Sequence, residues 1–371
     1  MTSGMDDFFA VIPAGGVGSR LWPLSRADAP KFLHDLTGSG ASLLRGTWDR
    51  LLPLTGEDRI AVITGIAHGD AVARDLPDIQ PENVFHEQDP RESAVAICLV
   101  AAVLHKRNPD VIVGSFAADH VITRQRAFEF AVQQAVAVAR EGYICTIGIQ
   151  PTEPSVGFGY IKTGAELVID GAPTAAIVER FVEKPDLDTA RRYFADRSFL
   201  WNAGMFISRA DVLLDELAAH QPELHAQIQE IAEAWDDSDR RDEVVARVWP
   251  ELKKIAIDYA VAEPAAESGR LAVVPGQFDW DDVGDFASLW NLVSSGSRQE
   301  MTILAREDHV LESESTGFVV SQTDRVIAVV GLDEVIVVDT DDALLVTNSA
   351  HAQLVKNVVG TLHQQGRDAV L

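Results

Sequence analysis

The chain has 371 residues, 47% hydrophobic and 24% charged, enough apolar material for two domains or one large α/β domain with an appendage. With 31 basic and 57 acidic residues its formal net charge is −26, which argues against nucleic-acid binding, since that needs clustered Lys and Arg. Any phosphate site in so acidic a chain must be a local concentration of cations, backbone N–H groups or metal.

In chain order, FFAVI (8–12) is a short apolar strand that runs into AGGVGSR (14–20). RIAVITG (59–65) is a second strand, with helical spacing from about His68, and NVFHE (83–87) a third. A helix is expected over 92–106, a strand over DVIVGSFAADH (110–120), a helix from Phe128 to Arg140, and a strand at YICTIGIQ (143–150). Apolar strands separated by helices indicate a mostly parallel sheet covered on both faces. Ligands of such sheets bind at the carboxyl ends of the strands. GFGYIKTG (157–164), AAIVERFVEKP (175–185) and FLWNAGMFISR (199–209) carry the polar interruptions of a substrate pocket, and 210 to about 248 is helical. LAVVPGQFDWDDVGDFASLW (271–290) reads as strand, polar turn and helix start. Past SSGSRQ, near 295, come TGFVVSQ, RVIAVVG, EVIVVDT and ALLVTN, then the helical HAQLVKNVVG. This is an all-β appendage. The expected domains are 1–295 and 296–371.

The two cysteines, Cys98 and Cys145, lie in apolar runs and read as buried, reduced thiols of a cytoplasmic protein. The N-terminus lacks a basic stretch followed by an apolar one, so no signal peptide is expected. The apolar run from Ala94 to Leu104 is too short for a bilayer, and no membrane partner is expected.

Chemistry concentrates in a few segments. Gly15, Gly16 and Gly18 permit close backbone approach and an anion nest, or form a plain surface turn. The spacing is neither G-x-G-x-x-G nor a P-loop, which disfavours a dinucleotide-dependent oxidoreductase. Arg20, with Pro23 and Pro30 stiffening the path to Lys31, favours the phosphate reading. Asp119 ends a strand, where it is either a helix cap or a metal ligand. DWDDVGD (279–285) supplies four more carboxylates, and a carboxylate pair from distant strands suits Mg²⁺ on phosphates. Glu183 and Lys184 precede Pro185 as a solvated strand end or a ligand contact. Asn202, inside WNAGMF, needs partners if buried, whether backbone groups or sugar hydroxyls. There is neither an H-E-x-x-H nor a G-x-S-x-G.

Together the segments AGGVGSRLWPLSRADAPKF (14–32), AADH (117–120), FVEKP (181–185), WNAGMF (201–206), AIDYAVAE (256–263) and FDWDDVG (278–284) resemble the sugar nucleotidyltransferases, most closely the mannose-1-phosphate guanylyltransferases. The resemblance implies a Rossmann-like α/β fold with a mixed, mostly parallel sheet and helices on both faces. It also implies a small C-terminal β-helix-like domain, which VVDTDDALLVTNSAHAQLVKNVV (337–359) matches. The implied reaction converts GTP and mannose 1-phosphate to GDP-mannose and pyrophosphate. By the same resemblance Ala14, Gly15, Gly16, Gly18, Ser19, Glu87 and Arg91 contact the nucleotide, Arg20 and Lys31 are catalytic, and Asp119 and Asp282 hold Mg²⁺. Gly157, Glu183, Lys184, Asn202 and Asp258 are then placed at the sugar phosphate, and a homodimer through the β appendage is implied. The base-side loop departs from the family's Glu-Pro-x-Gly-Arg-Asn-Thr-Ala-Pro-Ala, because EQDPRESAVA (87–96) has Glu92-Ser93 for Asn-Thr. A silent regulatory member of the fold predicts damage at Arg20, Lys31, Asp119 or Asp282, and all four are present. An enzyme for another hexose or nucleotide stays open.

Overall fold

The computed structural model describes residues 5–294 and 299–371, so the domain boundary expected at 295/296 lies outside the described residues. The strands of the first part are β1 (Phe8–Ala14), β2 (Ile60–Gly65), β3 (Val84–Glu87), β4 (Ile112–Ser115), β5 (Val121–Ile122), β6 (Ile144–Ile149), β7 (Tyr160–Glu166), β8 (Ala176–Val182), β9 (Phe199–Arg209), β10 (Leu271–Gly276) and β11 (Trp280–Asp281). Its α-helices are α1 (Leu43–Thr55), α2 (Gly69–Asp75), α3 (Ser93–Arg107), α4 (Gln125–Arg140), α5 (Leu187–Ala195), α6 (Ala210–His220), α7 (Pro222–Ala234), α8 (Ser238–Val248), α9 (Glu263–Glu267) and α10 (Phe286–Val293).

One sheet runs in the order β3-β2-β1-β4-β9-β6-β10-β8-β7. The parallel part is β3-β2-β1-β4, and β6 and β10 are also parallel to each other. β9 enters between β4 and β6 antiparallel to both, and β8 and β7 continue antiparallel. Both faces are covered, which is why β1 is a continuous apolar run. Val11 faces one core cluster with α3, α6, α7 and α8, while Ala10, Ile12 and Ala14 face another with α1 and α4. α3 is apolar all round (SAVAICLVAAVL) and is buried along its length from Ala94 to Leu104, as such a helix must be. The expected continuous helix over 210–248 is three helices, broken at Gln221 before Pro222 and again at Asp237, which caps α8.

The C-terminal part consists of β12 (Met301–Leu304), β13 (Val310–Ser313), β14 (Gly317–Ser321), β15 (Ile327–Val330), β16 (Val335–Asp339), β17 (Leu344–Asn348) and α11 (Val355–Gln364). Consecutive strands alternate between two sheets. β12, β14 and β16 pair in parallel in one, with β17 antiparallel at its edge, and β13 pairs in parallel with β15 in the other. Valines 310, 319, 329, 335 and 337 fill the space between the sheets. The opposite face of the larger sheet, with Phe318, Val320, Ile336 and Val338, packs against Leu21, Trp22, Leu24, Val283, Phe286 and Trp290. The β appendage therefore leans on the two segments that follow the Gly loop and the Asp282 turn. Among the described residues no helix is long and apolar enough to cross a membrane.

Candidate active site

β1 delivers Ala14 to the sheet edge, where its carbonyl accepts from Thr64 Oγ1 at 2.8 Å. Past it the chain turns sharply, with Gly16 and Gly18 at φ of 82° and 77°, where a side chain would be strained. Among the described residues the N–H groups of Gly16, Val17 and Gly18 make no hydrogen bond within the protein. The loop is thus a run of bare backbone donors, suited to an anion. A Cβ on Gly18 would lie 2.9 Å from three carbons of the Lys31 side chain, so the glycine also makes room for that lysine. Lys31 returns to the loop through its own N–H, which donates to the Val17 carbonyl at 3.2 Å. Ser19 opens a short 3₁₀ turn that carries Arg20, whose exposed guanidinium pairs with no carboxylate among the described residues.

The continuation of β4 runs beside β1, with Phe116 N–H to the Val11 carbonyl and Ala118 N–H to the Pro13 carbonyl. That register delivers Asp119 beside the Gly loop. β11 then pairs antiparallel with β5, Asp281 opposite Val121, and brings Asp282 to the same place across 163 residues of sequence (282 − 119). Lys31 joins the two: its Nζ lies 2.7 Å from Asp119 Oδ2 and 2.9 Å from the Asp282 carbonyl, with the Val283 carbonyl at 3.4 Å. Burial pushes the Asp119 carboxyl up, but the Lys31 ammonium, helped by His120 and a backbone hydrogen bond, holds the group below the ordinary carboxylate range. For Asp282 burial dominates, and its carboxyl lies above that range despite Lys31 and Arg20. Among the described residues no hydrogen-bond donor reaches the Asp282 carboxylate. A half-buried carboxylate without a donor, close to a second one, is a donor set that suits a hard divalent cation.

The DWDDVGD carboxylates have separate duties. Asp279 is exposed and ties β11 to the start of α4 through Thr123 Oγ1 (2.6 Å) and Arg124 (3.2 Å). Asp281 accepts the Val283 N–H at 2.6 Å and so supports the left-handed backbone of Val283, φ 48°. Asp285 caps α10, accepting from Ala287 and Ser288 N–H, in a capping box with Ser288. Asp282 is the one of these four whose carboxylate is left for the cleft.

On the other side of the cleft Glu183 is buried and its Oε1 lies 2.9 Å from Lys184 Nζ. Lys184 is held at φ 46°, a conformation that turns its long side chain back over its neighbour. A Cβ on Gly159 would collide with Glu183 Oε2. Asn202 is buried, and its partners are protein groups: its Oδ1 accepts from Thr146 Oγ1 (2.9 Å) and Gly204 N–H (3.1 Å), while its Nδ2 donates to Asp258 Oδ1 (2.8 Å). Burial, and then the Glu183 charge, push the Asp258 carboxyl up to about 7. Gly157 N–H bonds Ser155 Oγ at 3.1 Å in the loop before β7.

At the end of β3, Glu87 is buried, with one oxygen 3.7 Å from where a Gly15 Cβ would stand and Oε1 without a hydrogen-bond partner among the described residues. Burial pushes its carboxyl up to about 7. Arg91 is committed elsewhere, to the Leu252 carbonyl at 3.1 Å and to Asp89 at 3.2 Å.

Arg20, Gly157, Lys184 and Asp282 open on one cleft of about 740 Å³. Its walls include residues that the sequence did not single out: Glu153, Ser155 and Phe158 before β7, and Ser349, Ala350 and Gln353 from the C-terminal domain. Phe158 stacks edge-on between Trp201 and Trp280, both at 5.0 Å, and Trp280 donates to His120 Nδ1 at 3.2 Å. Burial pushes His120 down to about 4. Only the aromatic composition of these segments hinted at such a wall. The cysteines are both buried and free, and burial pushes Cys98 up to about 12, so neither is a thiolate nucleophile.

A family model described as nucleotidyl transferase matches residues 9–298, and the chain belongs to that family. Residues 308–362 match a model described as MannoseP isomerase/GMP-like beta-helix domain. Among relatives, the xanthan biosynthesis protein XanB of Xanthomonas campestris pv. campestris (strain B100) is 37% identical over 98% of this chain and 75% of its own length. The mannose-1-phosphate guanylyltransferase of Klebsiella pneumoniae is 36% identical over 96% of this chain and 74% of its own. The crystal structure of a protein named mannose-1-phosphate geranyltransferase, from Thermus thermophilus, superposes with a TM-score of 0.82 at 29% identity, covering 96% of this chain and 99% of that one.

Proposed function

We propose that the chain is a mannose-1-phosphate guanylyltransferase, transferring GMP from GTP to mannose 1-phosphate with release of pyrophosphate, in the cytoplasm. The observation that carries this reading is the meeting of bare loop N–H groups, Arg20 and Lys31 with two half-buried carboxylates at one sheet edge. The names of the relatives supply the mannose and guanine parts. Residues 1–295 form the catalytic domain in this reading and 296–371 the β-helix-like domain.

The chemistry needs no general base, since a sugar phosphate is largely a dianion near neutral pH, its second pKa being about 6. One of its oxygens attacks the α-phosphorus, the bond from that phosphorus to the bridging oxygen breaks, and pyrophosphate leaves with the electron pair. The barrier is charge and placement. The Gly16–Gly18 N–H groups and Arg20 hold the triphosphate, and Lys31 offsets charge at the phosphorus under attack. Asp119 and Asp282 would hold Mg²⁺, which when bound neutralises phosphate charge. Lys184 faces the incoming sugar phosphate. Glu183, paired with Lys184, takes the sugar hydroxyls.

Glu87 reads the base. A carboxylate matches the adjacent N–H donors on the Watson–Crick edge of guanine, while adenine presents an acceptor there. Those donors favour the ionised carboxylate, so protonation below about pH 7 weakens guanine binding. The KM for GTP is expected to rise as pH falls through that value. In Glu87→Gln the rise should vanish and the preference for GTP over ATP should drop about tenfold or more. A pH profile identical in both proteins removes Glu87 from the base site.

Purified protein given GTP, mannose 1-phosphate and Mg²⁺ should release pyrophosphate, and EDTA should stop it. A panel of nucleoside triphosphates and hexose 1-phosphates tests the substrate assignment, and no release across the panel sinks the enzyme reading.

A further inference from the structure

We propose that Gln353, in the C-terminal domain, is a positioning residue that acts through Asp285 to fix the turn carrying Asp282. The inference rests on the reading of Asp282 as a cation ligand. The turn is tightly specified. Asp281 holds Val283 from one side, and a Cβ on Gly284 would crowd the two Asp282 carboxylate oxygens at 3.2 and 3.3 Å. On the other side stands Asp285, which is 7% exposed. Its Oδ1 is used by Ala287 and Ser288 N–H at the start of α10. Its Oδ2 accepts from Gln353 Nε2. A buried carboxylate oxygen without a donor is costly, so the turn adopts this geometry in the presence of a donor that comes from another domain.

The same domain grips the other half of the site. Trp22 Nε1 donates to the Val370 carbonyl at 2.6 Å, and Arg26 is paired with Asp342 at 2.5 Å. Trp22 and Arg26 lie directly after the Gly loop. Ser349, Ala350 and Gln353 line the cleft beside Arg20 and Asp282. The C-terminal domain thus touches the phosphate loop and the Asp282 turn, which are separated by 262 residues of sequence (282 − 20), and holds them at a fixed spacing. Simple domain docking does not require this bond, because the apolar contact around Trp22, Phe286, Trp290 and Phe318 already joins the domains.

The test is a double-mutant cycle on the full chain with Gln353→Ala and Asp285→Ser, the serine retaining the N-cap while removing the acceptor of Gln353. Two readouts are taken: kcat/KM, and calorimetric titration of Mn²⁺ in the presence of inorganic pyrophosphate. Each single variant is expected to lose about tenfold in Mn²⁺ affinity and in kcat/KM, with the double variant no worse than the weaker single. In Gln353→Ala the melting temperature should fall by about a few degrees, as Asp285 Oδ2 loses its donor while the apolar contact persists. Gln353→Ala within about twofold of wild type in Mn²⁺ affinity overturns the proposal. So does a melting-temperature loss without an affinity loss, additivity in the cycle, or a wild type that binds no Mn²⁺. The titration decides the positioning role even if wild type turns over none of the substrates, an outcome that would count against the proposed reaction alone.

Discussion

Lys31→Met is expected to lower kcat about a hundredfold, the usual loss for one preorganised charge at a phosphoryl site, while the KM for GTP changes much less. The ammonium has three N–H donors, and three acceptors surround it: Asp119 Oδ2, the Asp282 carbonyl and the Val283 carbonyl. Contact with phosphate therefore requires giving one of them up, and the 3.4 Å bond to Val283 is the weakest. Removing the charge also exposes what it does for Asp119. That carboxyl lies below its ordinary range because of Lys31, so in wild type the pair stabilises the fold above the unfolded pKa, and the contribution is lost as pH falls through the folded one. In the variant burial, the largest influence on Asp119, is opposed only by His120 and a backbone hydrogen bond, and the Asp119 pKa rises. A raised carboxyl stabilises only while protonated, so the variant's melting-temperature deficit should be larger at about pH 8 than at about pH 5. Unchanged kcat, or a deficit independent of pH, removes Lys31 from the role argued for it.

The elements legible in the sequence are those fixed by local chemistry. The Gly loop, the strand before it and the fully apolar α3 follow from composition over a few residues. Lys31 was legible as a cation after a proline, but its grip on two backbone carbonyls in the 282–283 turn was not. α1 was not expected, because its sequence carries Gly46 and Pro53, which lower any helix reading. β12 and β13 were missed for a different reason: β12 is only partly buried throughout and β13 mostly exposed, so neither shows the alternation that marks a half-buried strand. Strand direction is not written in side-chain pattern, and the antiparallel entry of β9 between β4 and β6 could not be read from FLWNAGMFISR.

The same limit applies at the site. Asn202 was expected to need partners, and the choice between backbone, sugar and side chains was open. Its amide is used by Thr146, Gly204 and Asp258, which makes it a support for the neighbouring groups. The four carboxylates of DWDDVGD were indistinguishable as a string. Their duties separate only when the pairing of β11 with β5 sets which way each side chain points. The wall contributed by Ser349 and Gln353 comes from a domain that reads as an appendage, and the contact of Trp22 with Val370 spans 348 residues. Packing at that separation leaves no periodic signal.

Asp282→Asn is expected to give the largest loss of activity, about a thousandfold in kcat/KM, with a melting temperature equal to or above that of wild type. The two effects have one cause. Asp282 is half-buried, its carboxyl is raised above the ordinary range, and no donor among the described residues reaches it. A group whose folded pKa is raised stabilises the fold only below its unfolded pKa, and that contribution disappears as pH climbs through the folded value. Near neutral pH the ionised group is therefore a cost to the empty protein, and the neutral amide removes it. That cost is offset only when a cation arrives, which is why the charge is useful for binding phosphate-bound metal and not for folding. The asparagine keeps one oxygen but not the charge, so several kcal/mol of electrostatic stabilisation are lost, about 4 kcal/mol for a thousandfold. The checks are pyrophosphate release at saturating substrates over a range of Mg²⁺, and thermal unfolding with and without Mg²⁺. Substantial turnover in the variant removes Asp282 from the cation site, and a lower melting temperature assigns it to the fold.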